Sequence, residues 1–430
     1  MCDVEWRCRP SWVVGLLSLA AVVVVSEEVR AQEVPVTLQE VLEEVPQRYE
    51  SWEITEQQIR QSQAARREVL GALLPQVNVS GSVNRGPEVE VGGSTVQRRY
   101  NWGVTATGSI ALFNGPRYFD LWQAEAMLRA TEEGVAWQRH LILLEAELAY
   151  YTLAAAQRGV EIAESAIDLR REYLAQAEAL VDAGMAVRLD VSRARSQILE
   201  AEQALLEAEV ILGDAAANLA YLMGRERDAM LRADLDPEVA VPPVPEAIAE
   251  ISEERVDLQG RRSAIEATEL QRRGIWWGLA PTLSFQVQQQ LGPSTLFNPD
   301  GATFTMGLQA SWNLYDGGAR YARVDQAVAR IREQELQLEQ ELRRANTQRE
   351  QALRQWRQAE AAIAVAQEQV EVARETFEMV SARFESGLAT SLEVSDASQE
   401  LLRAELRLNQ IRLQSRLAEV QYRYMDEVEQ

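Results

Sequence analysis

Apolar residues near the end of the chain recur with the spacing of a coiled coil that folds back on itself. Across Trp356–Phe384 they fall alternately three and four residues apart, a mean step of about 3.5. The same spacing resumes after Gly387 and continues across Val394–Met425, with Ser415 as a polar interruption. The pattern predicts two helices joined by a short turn at Gly387 and paired as an antiparallel hairpin.

The same hairpin pattern occurs 203 residues earlier in the chain. Its apolar stripe covers Leu153–Val181 and Val191–Leu222, and Arg170 is the residue that breaks it. The turn at Gly184 aligns with the turn at Gly387. Because one inserted residue rotates every later helical side chain by about 100°, a register kept over this length indicates an internal duplication.

Each repeat also contains two segments in which apolar and polar residues alternate, which predicts β-strands. The predicted strands are about 76–84 and 100–113 in the first repeat, and about 282–291 and 303–315 in the second. Their polar positions are Thr, Ser, Gln and Asn with almost no charge. Strands of this length with one apolar and one neutral polar face favour the wall of a transmembrane barrel. The edge of a soluble sandwich is the alternative interpretation.

Four strands cannot close a barrel, and an open sheet edge in lipid leaves backbone groups without hydrogen bonds. Several chains must therefore share one barrel if these strands lie in a membrane. Two chains give eight strands and a filled interior, whereas three give twelve strands and room for an aqueous lumen. The predicted helix from Arg117 to Asp182 is about 100 Å long, so it pairs end to end with two shorter helices.

The first residues are typical of an export signal, and the remaining chain divides into two repeats. Residues 1–31 combine a short polar start with an apolar stretch of about 14 residues, which is short for a membrane span of about 20. An uncleaved anchor is the alternative. Residues 32–223 form the first predicted repeat, 224–244 a linker rich in proline and charge, and 245–430 the second repeat.

Composition argues against several classes of function. The formal net charge is −23, which disfavours nucleic-acid binding, and the arginines are interleaved with glutamates as on solvated helix faces. Both cysteines, Cys2 and Cys8, lie in the predicted signal, so no disulfide or thiolate metal site is expected after cleavage. The single histidine, His140, lies inside a predicted helix and is expected to pack rather than bind a ligand. We therefore predict no enzymatic activity, no cofactor and no metal.

Several short motifs, duplicated and in a fixed order, resemble the TolC family of outer-membrane efflux proteins, and the resemblance covers nearly the whole chain after the signal. They are Leu73-Leu74-Pro75 and Leu279-Ala280-Pro281 before strands, Leu314-Tyr315-Asp316-Gly317-Gly318 after the fourth strand, and the turns Ala183-Gly184-Met185 and Ser386-Gly387-Leu388. Residues Glu254–Leu258 are similar to a further family segment, with Val256 in place of its usual proline.

The resemblance implies an α+β membrane protein, mostly α, that works as a homotrimer in outer-membrane lipid. Three chains would form a twelve-stranded β-barrel that continues into a periplasmic barrel of twelve helices. The helical end would dock onto a periplasmic adaptor connected to an inner-membrane pump. The implied function is a passive exit duct whose helical end is closed at rest and opens like an iris.

Three acidic residues follow the two glycine turns and are candidates for the closed gate. By three-fold symmetry, Asp190, Glu393 and Asp396 would form acidic rings that need cationic partners such as Arg188 or Arg193. The alternative is that these acids only cap the returning helices, where a carboxylate favours the positive end of the helix dipole.

The residues of the turns themselves are candidates for adaptor docking. These are Gly184, Met185, Gly387 and Leu388. Two other functions stay open from the residues alone. A periplasmic coiled-coil adaptor or scaffold would have one hairpin and a separate β domain, whereas this chain has duplicated hairpins and strands. A trimeric outer-membrane structural protein or adhesin would have the same fold without conducting.

Overall fold

The computed structural model describes residues 34–87, 89–91, 94–97, 99–184, 186–225, 231–234, 242–245, 254–292 and 301–425. The predicted signal, residues 1–31, lies outside these ranges. The helices are α1 (Leu38–Arg48), α2 (Glu50–Gly71), α3 (Gly115–Asp182), α4 (Arg188–Leu222), α5 (Val256–Trp277), α6 (Ala319–Glu385) and α7 (Ser391–Tyr424). The strands are β1 (Val34–Val36), β2 (Gln76–Arg85), β3 (Val89–Val91), β4 (Ser94–Gln97), β5 (Tyr100–Phe113), β6 (Leu231–Ala233), β7 (Thr282–Leu291) and β8 (Ala302–Ser311).

The mostly helical, internally duplicated fold is confirmed. Helices α3 and α6 have 68 and 67 residues, so each is about 100 Å long. Helix α3 pairs with α4, and α6 pairs with α7, as two hairpins. Most of the predicted stripe on α6 is buried: Trp356, Ala359, Ala366, Val370, Ala373, Phe377 and Phe384.

Both polar interruptions of the apolar stripes are buried and hydrogen-bonded. Arg170 donates from Nη1 to the Gln197 carbonyl over 3.0 Å, which joins α3 to α4. Ser415 donates from Oγ to the Glu360 carboxylate over 2.8 Å, which joins α7 to α6. A buried polar group is tolerated when it finds such a partner, so the stripe keeps its register through both positions.

Strands β2, β5, β7 and β8 form one antiparallel sheet in that order, so β2 and β8 are its edges. The sequence predicts that the fourth strand extends to about residue 315, but in the structure β8 ends at Ser311. Ser311 pairs with Thr282, the first residue of β7. Pro281 precedes that pair and has no N–H to donate, which explains the earlier end. Trp312 turns back, and its Nε1 donates to the Leu279 carbonyl over 2.9 Å.

The break between α1 and α2 lies at Tyr49, three residues after Pro46, the residue at which the sequence favours a break. Pro46 is accommodated in the last turn of α1, where its missing N–H costs a single bond. The helical backbone hydrogen bonds continue beyond Pro46: the Tyr49 N–H donates to the Val45 carbonyl over 3.0 Å. Thr37 and Glu40 make a capping box that begins the helix.

A small subdomain lies beside the middle of α3. Helix α1 and the parallel pair β1–β6 pack there over a core that includes Val41, Val45, Leu153 and Leu219. The Tyr150 hydroxyl donates to the Asp234 carbonyl over 2.7 Å and holds the end of β6 against α3.

Lateral contacts place the helices in a fixed order. Near the sheet, α2 contacts α3, α3 contacts α5 and α5 contacts α6; near the turns, α4 contacts α3, α3 contacts α7 and α7 contacts α6. The order matches that of the strands, with α2 and α4 on the β2 side and α6 on the β8 side.

Within the residues that the structure describes, none of the helices combines the length and apolar character that a membrane span requires.

Candidate gate and docking tip

The two hairpins turn at glycines that adopt a left-handed backbone conformation. Gly184 has φ +74° and Gly387 has φ +72°. After Gly387, the Leu388 N–H donates to the Arg383 carbonyl over 2.8 Å; after Gly184, the Ala186 N–H donates to the Leu180 carbonyl over 3.2 Å. These bonds satisfy helix-end carbonyls in the way a glycine C-cap does. We call this end of the molecule, residues 183–193 with 384–396, the tip.

Two of the three candidate gate acids cap the helices that return from the tip. The Thr390 N–H donates to the Glu393 carboxylate over 3.0 Å, and Thr390 Oγ1 accepts from the Glu393 N–H, so α7 begins with a complete capping box. On α4 the Val187 N–H donates to the Asp190 carboxylate over 3.2 Å. Valine has no side-chain acceptor, so the reciprocal bond is missing there. Both acids therefore have a structural role within one chain.

The third candidate, Asp396, is exposed one turn further along α7. No hydrogen bond or ion pair holds its carboxylate among the described residues. The structure thus brings Asp190, Glu393 and Asp396 to one end of the molecule but gives them different surroundings. Asp396 is the acid most available to a group outside the chain.

A polar cluster next to these acids links the two hairpins. Arg193 on α4 donates from Nη1 to Ser391 Oγ on α7 over 3.4 Å. Tyr173 on α3 is 4% exposed, and burial is the main cause that raises the pKa of its hydroxyl to about 12. The nearby Asp190 also raises this pKa, while Ser391 and Arg193 lower it. The hydroxyl nevertheless makes no hydrogen bond of acceptable geometry.

The buried contact beneath this cluster also crosses between the hairpins. The rings of Tyr173 and Phe384 lie 5.1 Å apart between centroids, and Gln176 donates to the Glu385 carboxylate over 3.0 Å. Sequence reasoning missed Tyr173, because it lies off the stripe that faces α4. A second stripe on α3, spaced by four, three and four residues, would have found it: Leu169, Tyr173, Gln176 and Leu180.

Three of the four candidate docking residues, Gly184, Gly387 and Leu388, are exposed in the two turns of the tip. Leu388 is 71% exposed, and Gly184 and Gly387 are open, with no atom within 4 Å of a Cβ built on them. Met185 lies outside the described residues. Three further apolar side chains are exposed at the tip and were not predicted: Val187, Leu189 and Leu392. Leu189 and Leu392 occupy equivalent positions in the two repeats, and this repetition of an apolar residue next to the turn is the sequence feature that could have predicted them.

Among the described residues, no group of His, Asp and Glu side chains is arranged to hold a metal ion. His140 is packed, as expected from its position in a helix. Its ring stacks on Trp137 at 5.3 Å between centroids, and its Nε2 lies 2.7 Å from the Tyr424 carbonyl oxygen. The histidine therefore has a structural role on α3.

Comparison with known proteins places the fold. CusC matches with a TM-score of 0.80 at 18% identity, over 90% of this chain and 92% of that one. CmeC of Campylobacter jejuni matches with 0.79 at 15% identity, over 91% and 87%. VceC of Vibrio cholerae matches with 0.75 at 18% identity, over 90% and 95%. No curated protein sequence matches.

The family model described as outer membrane efflux protein matches residues 44–225 and 247–424, which is most of the chain. The two matched segments correspond to the two structural repeats, one on each side of the region between α4 and α5. The chain belongs to the outer membrane efflux protein family.

Proposed function

We propose that three copies of this chain form a passive exit duct of a tripartite efflux or type I secretion system. The four strands of each copy would complete a twelve-stranded barrel in the outer membrane. The helices would continue the duct through the periplasm to an adaptor and an inner-membrane pump. Membership of an outer-membrane efflux family supports this function.

The observation that carries the proposal is a contact between the two repeats, in which the long helix of the first packs against the return helix of the second, while the equivalent positions on the long helix of the second repeat and the return helix of the first are exposed. Within the chain, α3 packs against α7: Ile162 is buried, and Leu169 packs against a cluster that contains residues of α7. Asn409 on α7 donates from Nδ2 to the Ala155 carbonyl on α3 over 2.8 Å. These contacts cover the side of α3 that faces away from α4.

The equivalent residues of the other hairpin, 203 positions away, do not have such a contact in the described part of the chain. Val365 and Val372 on α6 correspond to Ile162 and Leu169, yet they are 61% and 53% exposed. Leu206 on α4 corresponds to Asn409 and is also exposed, with Leu199 and Val210 beside it on the same face. A second copy whose α4 covers α6 would bury both stripes in the way that α7 covers α3.

The two stripes lie at matching heights above the tip. Val365, Val372 and Met379 are 6 to 20 residues from the end of α6, and Leu199, Leu206 and Val210 are 11 to 22 residues from the start of α4. At about 1.5 Å per residue these spans overlap over roughly 15 Å. The β8 edge of the sheet is on the same side of the molecule as α6, so the same packing would join β8 to the β2 edge of the next copy. A head-to-tail contact of this kind gives a closed ring when the rotation between copies closes, and a three-fold rotation would do so.

At the tip we propose that Asp190, Glu393 and Asp396 narrow the duct in its closed state. Arg193 supports this role, because it is the cation beside Asp190 in the cluster that links the two hairpins. The exposed apolar side chains of the tip, of which Leu388 is the most exposed among the described residues, fit a surface that docks onto the adaptor.

Cysteine cross-linking tests the arrangement of copies. The native cysteines lie in the predicted signal, so introduced pairs report without background. By the repeat, Leu206→Cys on one copy should meet Gln358→Cys on the next, and oxidation should give a covalent trimer on a non-reducing gel. Ala155→Cys with Asn409→Cys is the matched control, since these positions touch inside one chain and should not link copies. A Leu206/Gln358 pair that links nothing, or that stops at dimers, would contradict the proposed ring.

Single-channel recording in planar lipid bilayers tests conduction by the purified protein. The proposed duct requires discrete current steps. A cross-linked trimer that inserts into the bilayer without current would instead favour a non-conducting structural protein. A chain that stays monomeric in buffer without detergent would favour the periplasmic scaffold.

A further inference from the structure

A polar cavity of about 510 Å³ lies where the sheet meets the helices. The first turns of α3 and α6 and the last turns of α5 line it. Glycines on α5 let the neighbouring helices approach closely. A Cβ on Gly274 would lie 2.9 Å from Phe119 Cβ on α3, and one on Gly278, which caps α5, would lie 3.9 Å from both Pro116 Cγ on α3 and Arg320 Nε on α6. The α5 side of the cavity contributes no charged side chain; the charged groups come from α3, from α6 and from Asp316 just before α6.

Three arginines lie on the face of α6 that lines the cavity. Arg320 is 8% exposed and donates from Nη2 to the Gly278 carbonyl over 3.1 Å, which fixes it against α5. Arg323 is exposed, with Nη2 3.4 Å from the Asp316 carboxylate. Arg330 makes no hydrogen bond or ion pair within the described part of the chain. With Asp120 and Asp316 as its acids, the cavity carries an excess of positive charge in a chain whose net charge is −23.

The start of α6 adds a second source of positive potential at the same place. Gly317 and Gly318 both have positive φ, and Gly318 caps α6 without any side-chain hydrogen bond. The start of α3 is different, since Asn114 Oδ1 accepts from the Arg117 N–H over 3.4 Å. The Ala319 N–H donates to the Asp316 carbonyl over 3.4 Å, so among the described residues the amides of Arg320 and Tyr321 are left for another acceptor, and helix starts of this kind favour anions.

Exposed aromatic side chains surround this level of the molecule. Trp276 and Tyr321 contact each other at 5.9 Å between centroids, and both are exposed, as is Trp312. Aromatic residues of this kind concentrate where a membrane-spanning element leaves the bilayer. On the proposed function, the cavity therefore lies at the level of the lipid headgroups.

We propose that this cavity binds a phosphate group. Arg323 and Arg330 would donate hydrogen bonds to its oxygens, and the backbone N–H groups of Arg320 and Tyr321 would donate to them as well. Arg320 positions the wall through its bond to Gly278. Guanidinium groups suit this ligand because their N–H groups match the geometry of phosphate oxygens. A phospholipid headgroup and free phosphate supply the same chemistry, and only the lipid source rests on the proposed function.

Binding to the full, delipidated protein in detergent tests the proposal with two probes. In one arm, inorganic phosphate is titrated and followed by calorimetry. In the other, phosphatidylglycerol or phosphatidylcholine is added and the lipid retained is counted by native mass spectrometry. Arg323→Gln with Arg330→Gln should weaken binding of the effective probe about twenty-five-fold, since each basic residue near an anionic headgroup contributes about fivefold. Arg332→Gln is the matched control, because Arg332 pairs with Glu335 on α6 away from the cavity.

The two arms identify the source. Arginine-dependent retention of phosphatidylglycerol supports a lipid site, and arginine-dependent binding of inorganic phosphate without lipid retention supports a free-phosphate site. The proposal is overturned if the wild type binds neither probe. It is also overturned if the double variant binds whichever probe the wild type binds as strongly as the Arg332→Gln control does. Circular dichroism of the variants confirms that they fold. The phosphate arm does not depend on conduction, so its result is separable from that of the bilayer recordings.

Discussion

Tyr173 and Phe384 join the two hairpins of the chain near the tip, with ring centroids 5.1 Å apart and both side chains buried. The contact lies between α3 and α6, directly beneath the polar cluster of Arg193 and Ser391. Opening the tip by separating the hairpins would have to break this aromatic pair. Such pairs contribute about 0.5–1.5 kcal/mol beyond the area they bury, so the cost per copy is moderate.

The hydroxyl of Tyr173 makes no hydrogen bond of acceptable geometry with the described residues, and this predicts an unusual tolerance to its removal. Tyr173→Phe should change the free energy of unfolding by only a few tenths of a kcal/mol or raise it, because an unsatisfied buried polar group is lost. Tyr150→Phe is the matched control: its hydroxyl donates to the Asp234 carbonyl, and losing that bond should cost about 1 kcal/mol. Thermal unfolding followed by circular dichroism compares them. A larger loss of stability for Tyr173→Phe than for Tyr150→Phe would show that the Tyr173 hydroxyl does have a hydrogen-bond partner in the folded protein.

The gate and the capping role of Asp190 can be separated by the choice of substitution. Asp190→Asn keeps a side-chain oxygen that can accept the Val187 N–H, whereas Asp190→Ala removes it. Asp190→Asn with Asp396→Asn should therefore raise conductance and reduce block by divalent cations while leaving stability nearly unchanged. Asp190→Ala should in addition cost about 0.5–2 kcal/mol, which is typical of a lost helix cap.

Single-channel recordings in planar bilayers, with divalent cations added on the tip side, measure both properties. Glu393→Gln provides a comparison, since Gln keeps the reciprocal bond of the capping box to Thr390. Conductance and cation block equal to the wild type in the double Asn variant would contradict the acidic gate and leave only the capping role.

The hairpins were predictable because their signal is local and repeated. Apolar steps of 3.5 residues specify which face of α6 meets α7, and the duplication shows the same for α3 and α4. Tyr173 was not predicted because its cover comes from the other hairpin: the second stripe on α3 indicates a further covered face, but no local period shows which element covers it. Val365 and Leu206 show the opposite case: their apolar side chains favour a covered position, yet within the described part of the chain they are exposed.

The ends of elements were less predictable for a different reason. Alternation of apolar and polar residues continues past Ser311 to Leu314, but pairing stops where the partner strand begins after Pro281. The break after α1 likewise depends on packing at Tyr49 rather than on Pro46. The arginine cavity could not be predicted, since it requires the approach of three helices at Gly274 and Gly278.

Two glycines with similar backbone angles should respond differently to alanine. Gly184 and Gly224 have φ +74° and +62°, so a Cβ costs each about 1–2 kcal/mol from the backbone alone. No atom lies within 4 Å of a Cβ on Gly184, whereas one on Gly224 would lie 2.5 Å from the Arg48 carbonyl oxygen. Gly224→Ala should therefore lower the free energy of unfolding by clearly more than Gly184→Ala, as measured by thermal unfolding. Equal losses of stability in the two variants would show that the backbone at Arg48 can shift to accommodate the added Cβ at little cost.

Glu147 on α3 provides a pH-dependent prediction. Its carboxylate is 1% exposed and paired with Arg423 on α7; burial raises its pKa from the ordinary value near 4.5, and Arg423 lowers it by less. The folded chain therefore keeps this proton to a higher pH than the unfolded chain. The stabilisation is fully present below the unfolded pKa and is lost as pH rises through the folded pKa.

Glu147→Gln removes this dependence, so the variant should gain stability relative to the wild type as pH rises from about 4 to 7. Arg423 keeps an ionic partner in the variant, because Glu419 Oε1 lies 3.8 Å from its Nε. Melting of the helical signal at each pH measures the difference, and Glu335→Gln on the exposed face of α6 controls for the general effect of charge. A variant that instead loses stability relative to the wild type with rising pH would show that the ion pair outweighs the cost of burial, with the carboxylate pKa lowered. In that case Arg423 and Glu147 would be a net stabilising link between α3 and α7, since breaking a buried pair leaves an uncompensated charge.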